Sequence, residues 1–138
     1  MTATIADVRD NLAAICSSLD GWYGQARVGD QINPGAIVVT RQPFDPRMVL
    51  SGTKRTLMFQ LHAYASRAGS EASEEALDAL GELSGTGSLV AAVSNGDLWV
   101  DVSVDYAQVV EVGAVTLTTF GNDAAEYLAC SFDVEVVW

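Results

Sequence analysis

The sequence predicts an α+β domain, a mostly antiparallel sheet with helices packed on one of its faces. Alternating apolar and polar residues, the pattern of strands with one buried face, dominate the C-terminal third, where successive strands favour antiparallel pairing. Two amphipathic patterns of helical period occur earlier and can cover the sheet. A length of 138 residues, 49% of them apolar, without a linker-like shift in composition, predicts a single domain over residues 1–138.

The N-terminal segment predicts a helix over residues 4–18. Thr4 followed three positions later by Asp7 is similar to a capping box, and apolar residues then recur at helical spacing. The turn-rich stretch that follows allows a short strand near Gln25–Val28. The β-branched run Ala36–Thr40 is then typical of a buried strand.

The middle of the chain predicts a loop, a long strand and two helices. Gln42–Arg55 contains two prolines, a glycine and four charges with little periodicity, which is typical of a loop. Strict alternation over Arg55–Ser66 predicts a strand with one buried face. A helix is predicted over Ser70–Ser84, with its glutamates at the positive end, and a short helix over Leu89–Val93.

Three strands are predicted in the C-terminal third. Leu98–Tyr106 alternates apolar and polar residues, which would place Trp99 and the neighbouring aspartates on its wet face. Val109–Thr118 is predicted as a broken strand, interrupted at Gly113. The alternation over Leu128–Val136 predicts the last strand, again with one dry and one wet face.

Charge is divided unevenly along the chain. All seven basic residues lie within the first 67 positions, where they outnumber five acids, whereas the remaining residues include thirteen acids and no base. Drift in an acidic protein is one explanation of this division. The other is a chain whose basic side contacts the acidic side of a neighbouring copy, in a heterologous arrangement that closes into a ring.

Composition disfavours several classes of protein. No apolar run reaches the roughly 18 residues of a membrane span, and the opening residues lack the basic and apolar segments of a secretory signal. A net charge of −11 would repel phosphate backbones, which disfavours nucleic-acid binding. Cys16 and Cys130 have no CxxC spacing and are predicted to be reduced core residues.

Residues that could carry chemistry are few. His62 is the single histidine, and Ser66 on the same strand face lies too far along the strand to be its nucleophile. One histidine and two separated cysteines cannot build the usual zinc sets, and Asn95-Gly96-Asp97 does not complete a calcium loop. The sequence therefore predicts no catalytic residue, cofactor or metal. An enzyme that uses His62 and wet-face aspartates is the alternative.

Contact surfaces are better represented than catalytic motifs. Trp99 on its wet strand face and Trp138 after Val136-Val137 are candidate interface anchors, with burial under a helix as the alternative. The Gln42–Arg55 loop combines an apolar tip with basic shoulders, which suits either insertion against a partner or folding back as a lid. The residues in this role are Phe44, Arg47, Met48, Val49, Leu50, Lys54 and Arg55.

The order of elements and several sequence patterns resemble one known family. A first helix Ile5–Leu19, a Pro/Gly-rich stretch to Ile37–Thr40, a charged loop and a long strand ending Tyr64-Ala65-Ser66-Arg67 come first. The acidic helix Glu74–Leu80, the short helix Ser88–Val93 and a closing strand Tyr127–Val134 of the form Y-L-A-x-x-F-x-V follow. Over nearly its whole length the chain thus resembles the tail terminator proteins of long, non-contractile-tailed (siphovirus-type) bacteriophages.

The resemblance implies a structural virion protein rather than an enzyme. Tail terminators form a hexameric ring that caps the tail tube, stops its polymerisation and joins it to the head-completion, or neck, proteins. The implied partners are copies of the chain, the tail tube protein and a neck protein. DNA would pass through the lumen without specific binding, and no membrane is involved. The expected location is the virion tail or neck, with assembly in the host cytoplasm.

Two alternatives to this function stay open: another neck or tail-completion protein, and a small cytoplasmic module that binds a ligand. The Gln42–Arg55 loop matches no fixed motif of the family, so its role is inferred from its own residues. In a ring, its basic residues and their neighbours should meet acids of the adjacent subunit. The predicted subunit and partner contacts are Phe44, Arg47, Met48, Leu50, Lys54, Arg55, Arg67, Glu71, Glu74, Glu75 and Trp99.

Overall fold

The computed structural model describes residues 3–29, 32–46, 54–67, 70–119 and 126–138. Within these ranges the chain forms three α-helices, one turn of 3-10 helix and six strands. In chain order they are α1 (Ile5–Ser17), β1 (Tyr23–Gln25), β2 (Ala36–Arg41), β3 (Thr56–Ser66), α2 (Ser70–Leu80), α3 (Leu89–Ser94), the 3-10 helix Gly96–Leu98, β4 (Tyr106–Val112), β5 (Thr116–Thr119) and β6 (Glu126–Val137).

The six strands form one sheet in the order β1-β2-β3-β6-β4. Strands β4 and β5 lie end to end along the same side of β6, because β4 pairs with its second half and β5 with its first. The central pair, β3 and β6, stays in register from Thr56 opposite Val137 to Ser66 opposite Tyr127. Every pairing is antiparallel except that of β1 with β2. The predicted α+β class is therefore confirmed.

All three helices pack on one face of the sheet, as predicted. Alternation in β3 and β6 buries Phe59 and Phe132 completely, in one apolar core with residues of α1, α2 and α3. The helices contribute Leu12, Leu80 and Val93 to this core. Burial of each large apolar side chain contributes roughly 1.5–3 kcal/mol. None of the helices in the described ranges is long and apolar enough to cross a membrane.

The β1 edge of the sheet is covered by α1. Gly24 lies so close to this helix that a Cβ at its position would stand 2.0 Å from the backbone oxygen of Ala13. The backbone N–H of Gly24 donates to Ser17 Oγ at 2.8 Å. A side chain of α1 therefore accepts a hydrogen bond from an N–H of the edge strand that has no strand partner in the described part of the chain. The opposite edge, formed by β4 and β5, exposes Val110 and Leu117 by 49% and 52%.

The prediction of a strand over Leu98–Tyr106 is wrong. The 3-10 helix and irregular backbone take its place, and β4 begins where that strand was expected to end. The buried side chain of Asn11 explains the difference: its Nδ2 donates to the Leu98 carbonyl, and its Oδ1 accepts from the N–H groups of Asp101 and Val102. These bonds take up backbone groups that a sheet ladder would otherwise use.

Other boundaries differ by less. Helix α2 ends at Leu80 and not at Ser84, because Gly81, a poor helix former, follows it. The predicted broken strand is two separate strands, β4 and β5, and the break falls at Gly113 as expected. A Cβ on Gly113 would lie 2.6 Å from Ser131 Oγ, so the chain passes β6 too closely for a side chain.

Candidate functional site

Charge is segregated in space as well as along the chain. Helix α1 and strands β1 and β2 belong to the part of the sequence that holds every basic residue, and they lie to one side of the β3–β6 pair. Strands β6 and β4 contain acids but no base, β5 has no charged residue, and β4 and β5 form the opposite edge. One edge of the sheet therefore carries arginines beside its own aspartates, and the other carries acids without any base.

Three arginines from separate elements lie on the side of the molecule formed by α1, β1 and β2, and they are here called the arginine surface. Arg9 lies on α1, Arg27 follows β1, and Arg41 is the last residue of β2. The parallel pairing of β1 with β2 directs both chains toward the same end of the sheet. Arg27 pairs with Asp10 at 3.3 Å, and the guanidinium carbon of Arg41 lies 4.9 Å from the ring centroid of Phe44.

Two members of the arginine surface, Arg9 and Arg41, form no ion pair with the described residues. Partial burial lowers the pKa of Arg9, and so do the charges of Arg27 and Arg41, while Asp10 opposes them. The Nε of Arg9 is buried and has no hydrogen-bond partner in the described ranges. Buried donors are normally paired. An additional carboxylate near Arg9 would therefore stabilise this surface.

Two of the predicted contact residues pair within the chain. Lys54 Nζ lies 2.8 Å from a carboxylate oxygen of Asp105, and Arg67 Nη1 lies 2.6 Å from one of Glu126. All four side chains are about half exposed, and pairs of this kind contribute only about 0–1 kcal/mol. Both residues already have an acidic partner in their own molecule, which makes them weaker candidates for a contact between subunits than the sequence indicates.

The Gln42–Arg55 loop is described at its two ends. Phe44 is partly buried and packs against the chain's own core, which for this residue favours the lid over insertion into a partner. The backbone of Arg55 forms two hydrogen bonds with that of Trp138, of 2.7 and 2.9 Å. Arg47, Met48, Val49 and Leu50, which share the predicted contact role, lie outside the described residues.

Trp99 is not the surface anchor that the alternation predicts. It is only 7% exposed, and its Nε1 donates to the carbonyl of Val93 at 2.9 Å. The strand that would have placed it on a wet face does not form, so the prediction of an exposed contact residue is wrong. Trp138 is also buried, and its Nε1 donates to the carbonyl of Ala3 at 2.9 Å. Both tryptophans are core residues.

The glutamates predicted as contacts lie on the exposed side of α2. Glu71, Glu74 and Glu75 are all exposed, and none forms an ion pair within the described ranges. The nearest base in the sequence, Arg67, pairs with Glu126, and no base follows it. These residues remain candidates for contact with a basic partner.

A second acidic feature is a cleft of about 470 Å³ between the end of α2 and the connection of β4 to β5. Asp78 and Glu82 border it, and both are exposed. Leu77, Val112 and Val115 also line it. This α2–β4 cleft thus combines two carboxylates with apolar side chains, on the side of the molecule opposite the arginine surface.

The sheet face away from the helices carries a polar network. Gln42 and Gln60 both donate from Nε2 to Oδ1 of Asp133, at 3.2 and 3.0 Å. Thr40 Oγ1 donates to the Gln60 carbonyl at 3.1 Å and lies 3.4 Å from His62 Nε2. A shallow cleft of about 350 Å³, here called the open-face cleft, is lined by Gln60 and His62 and can offer hydrogen bonds to a polar group.

His62 is the titratable centre of the open-face cleft. Burial lowers its pKa, and the negative charge of Asp133 opposes that shift. Ser131 lies opposite His62 in the β3–β6 register, with no hydrogen bond between the two described side chains. Asp101 and Asp105, the aspartates expected to accompany the histidine, are not among the residues that line this cleft. The histidine therefore has a carboxylate nearby, but a different one from those predicted.

The described residues contain no group of three or more His, Cys, Asp or Glu side chains that could hold a metal ion. Cys16 is buried, and burial raises the pKa of its thiol to about 12, so this sulfur stays protonated at neutral pH.

No protein-family model matches the chain, and no curated protein matches it in sequence. Its function therefore has to be inferred from its own residues.

The sequence prediction did not include Arg9 or Arg27 among the contact residues. They lie far apart along the chain and come together only because β1 pairs in parallel with β2 beside α1. The confinement of every base to the first 67 positions was the available signal. That signal indicated a basic side without showing which of its residues would be left unpaired.

Proposed function

We propose that the chain is a structural ring subunit of a bacteriophage tail, a tail terminator that caps the tail tube, stops its polymerisation and joins it to the neck proteins. In this role it is not an enzyme and needs no cofactor. Its partners are other copies of itself, the tail tube protein and a neck protein, and its place is the virion. The resemblance in element order supports the proposal, and so does the α+β fold, which that resemblance implies.

The proposal depends above all on the uneven placement of charge: arginines that form no ion pair within the described ranges lie toward one edge of the sheet, and acids without any base lie toward the other. A heterologous contact joins two different surfaces, and it closes into a ring when the rotation between copies divides a full turn without a shift along the axis. Each copy has a net charge of −11, so six copies carry about −66 and would repel one another. Contact between the arginine surface of each copy and the acidic edge of the next lowers that repulsion.

An acidic ring also suits the passage of DNA. If the bases lie at contacts between copies, the remaining acids face water or the lumen. Carboxylates repel phosphate groups, so a genome can pass without being held by the wall. The high proportion of acids is then an advantage of the assembled state, although it is an obstacle to assembly without paired surfaces.

Three measurements test this function. Light scattering and negative-stain electron microscopy of the purified chain at low ionic strength should show rings of about six copies with a central channel. Gold-labelled antibody against the chain should mark the head-proximal end of the tail on phage particles produced with it. Tails assembled without the chain should exceed their normal length, because nothing stops tube growth. Absence of the chain from purified particles would overturn the proposal.

The open-face cleft supports one alternative, a small module that binds a polar ligand. Gln60, His62 and Tyr64 line this cleft, and together they supply hydrogen-bonding groups and an aromatic ring. A binding module of this kind should remain monomeric at every concentration. Monomeric mass combined with no label on phage particles would favour this alternative over the ring.

A further inference from the structure

We propose that the arginine surface of one copy docks on the α2–β4 cleft of the next copy, so that the two features form the two halves of one subunit contact. The occupant of the arginine surface is then a second copy of this chain. The inference deepens the proposed ring and rests on it. It replaces the contact predicted from Lys54 and Arg67, both of which pair within their own molecule.

The arginine half of this contact lacks acidic partners. Arg9 and Arg41 form no ion pair within the described ranges, and Arg27 shares the single carboxylate of Asp10. The position of Arg41 over the ring of Phe44 holds its guanidinium at the edge of the sheet without neutralising it. The buried Nε of Arg9 adds a donor without an acceptor. Carboxylates match these groups because guanidinium binds them in a planar, paired geometry.

The cleft half has the complementary properties. Asp78 and Glu82 form no ion pair within the described part of the chain. Arginine packs its aliphatic stem on apolar surface while its head group stays with polar partners. A cleft that is lined by Val112 and Val115 and bordered by two carboxylates fits such a side chain. No base occurs after position 67, so the matching charge has to come from another part of the chain or from another molecule.

The two halves cannot meet in one molecule. Strands β3 and β6 lie between β2 and β4, and neighbouring strands are about 4.8 Å apart. The arginine surface and the acidic edge are therefore separated by roughly 14–19 Å across the sheet. A two-fold contact centred on either surface would place that surface against its own copy and bring like groups together, which is unfavourable. A head-to-tail contact between copies pairs the two surfaces without that repulsion.

Charge-neutralising variants test the docking. Arg27→Gln with Arg41→Gln neutralises two of the three arginines of the arginine half, and Asp78→Asn with Glu82→Gln neutralises both carboxylates of the cleft half. Each variant alone should self-associate at least about tenfold more weakly than the natural chain, so its measured mass should be that of a monomer. An equimolar mixture should form a 1:1 dimer and nothing larger, because each variant keeps one intact half. Light scattering measures the masses, and circular dichroism shows that each variant is folded.

The matched control is Lys54→Gln with Arg67→Gln, which removes the same amount of positive charge from residues that pair within the chain. This control should assemble as the natural chain does.

Full assembly of either surface variant, or failure of the mixture to form a dimer, would overturn the docking even if rings and tail labelling are observed. A natural chain that stays monomeric at low ionic strength would also overturn it, and labelling of phage particles then decides the proposed function separately. If the arginine surface instead binds inorganic phosphate while both variants still assemble, it is an anion site and not a subunit contact.

Discussion

The backbone N–H of Asp101 donates to the side-chain Oδ1 of Asn11 over 2.9 Å, and this bond attaches an irregular segment to the first helix. Asn11 is completely buried, and its amide also bonds the carbonyl of Leu98 and the N–H of Val102. One side chain therefore satisfies three backbone groups that have no sheet partner. Without it, those groups would be buried without hydrogen bonds or the segment would have to move into water.

Replacement of Asn11 by Ala should destabilise the protein by roughly 2–4 kcal/mol, because each orphaned buried polar group costs about 1–3 kcal/mol and partial relaxation recovers some of that cost. Urea unfolding followed by circular dichroism measures the change. Amide exchange should also accelerate at Asp101 and Val102, whose donors lose their acceptor.

The control for this substitution is Gln108→Ala, on the exposed edge strand β4. It also replaces an amide side chain by a methyl group, but at the surface, where such changes usually stay within about 0.5 kcal/mol. Equal unfolding midpoints for the two variants would show that Asn11 does not hold the segment.

The same hydrogen bonds explain where sequence reasoning about the fold succeeds and where it fails. Alternation predicts β3 and β6 correctly, since their pattern reflects the burial of one sheet face. Leu98–Tyr106 alternates equally well, yet bonds to Asn11, about 90 positions away in the chain, decide its conformation. The local alternation of apolar and polar residues indicates which side chains are buried. It does not show which groups form hydrogen bonds with the backbone N–H and C=O groups.

The candidate contact surface was less predictable than the fold. The uneven distribution of charge shows in the sequence, but the choice of residues depends on which charges find partners in the folded chain. Lys54 and Arg67 meet Asp105 and Glu126, which are distant in sequence. Arg9, by contrast, forms no ion pair within the described ranges, and the charged groups that act on it are Arg27, Arg41 and Asp10. Neither outcome follows from spacing along the chain.

Gly24→Ala should destabilise the protein strongly, by about 1–3 kcal/mol or more, because an added Cβ would overlap the backbone of Ala13. Backbone atoms of a helix cannot move aside as a flexible side chain can, so α1 and β1 would have to separate. Thermal unfolding measures the loss. Gly87→Ala is the control, since nothing lies within 4 Å of its Cβ position, and its unfolding temperature should stay near that of the natural chain. Similar losses in both variants would contradict the close approach of α1 to β1.

Trp99→Phe should lower the free energy of unfolding by about 1 kcal/mol, because the Nε1 bond to the Val93 carbonyl is lost while most of the apolar contact is kept. Trp99→Ala should cost about 3–5 kcal/mol, as expected for a large buried aromatic side chain. Neither the mass of the assembly nor its salt dependence should change in Trp99→Phe. A variant that remains as stable as the natural chain but loses assembly would restore the surface role of Trp99.

The imidazole of His62 should titrate below its ordinary pKa of 6.5, because burial disfavours the charged form. His62 is the one histidine of the sequence, so its ring signals in a proton NMR titration are unambiguous. Asp133→Asn should lower the midpoint further, since the negative charge that favours the imidazolium is removed. Asparagine keeps an Oδ1 acceptor for Gln42 and Gln60, so the surrounding network is retained. An unchanged or higher midpoint in Asp133→Asn would show that this carboxylate does not act on the ring.

Stability should depend on pH through the same histidine. The folded-state pKa of His62 is lower than the unfolded value of about 6.5, so the unfolded chain binds more protons between those two values. The contribution of neutral His62 is therefore complete above about pH 6.5 and is lost as the pH falls through the folded-state pKa. The natural chain should accordingly lose stability relative to His62→Gln on acidification from about pH 7 to pH 5, because glutamine does not titrate. Urea unfolding of both proteins across this range gives the difference, and the carboxylates, which titrate mainly at lower pH, are common to both. Parallel stability curves for the two proteins would show that His62 is not destabilised by protonation in the folded state.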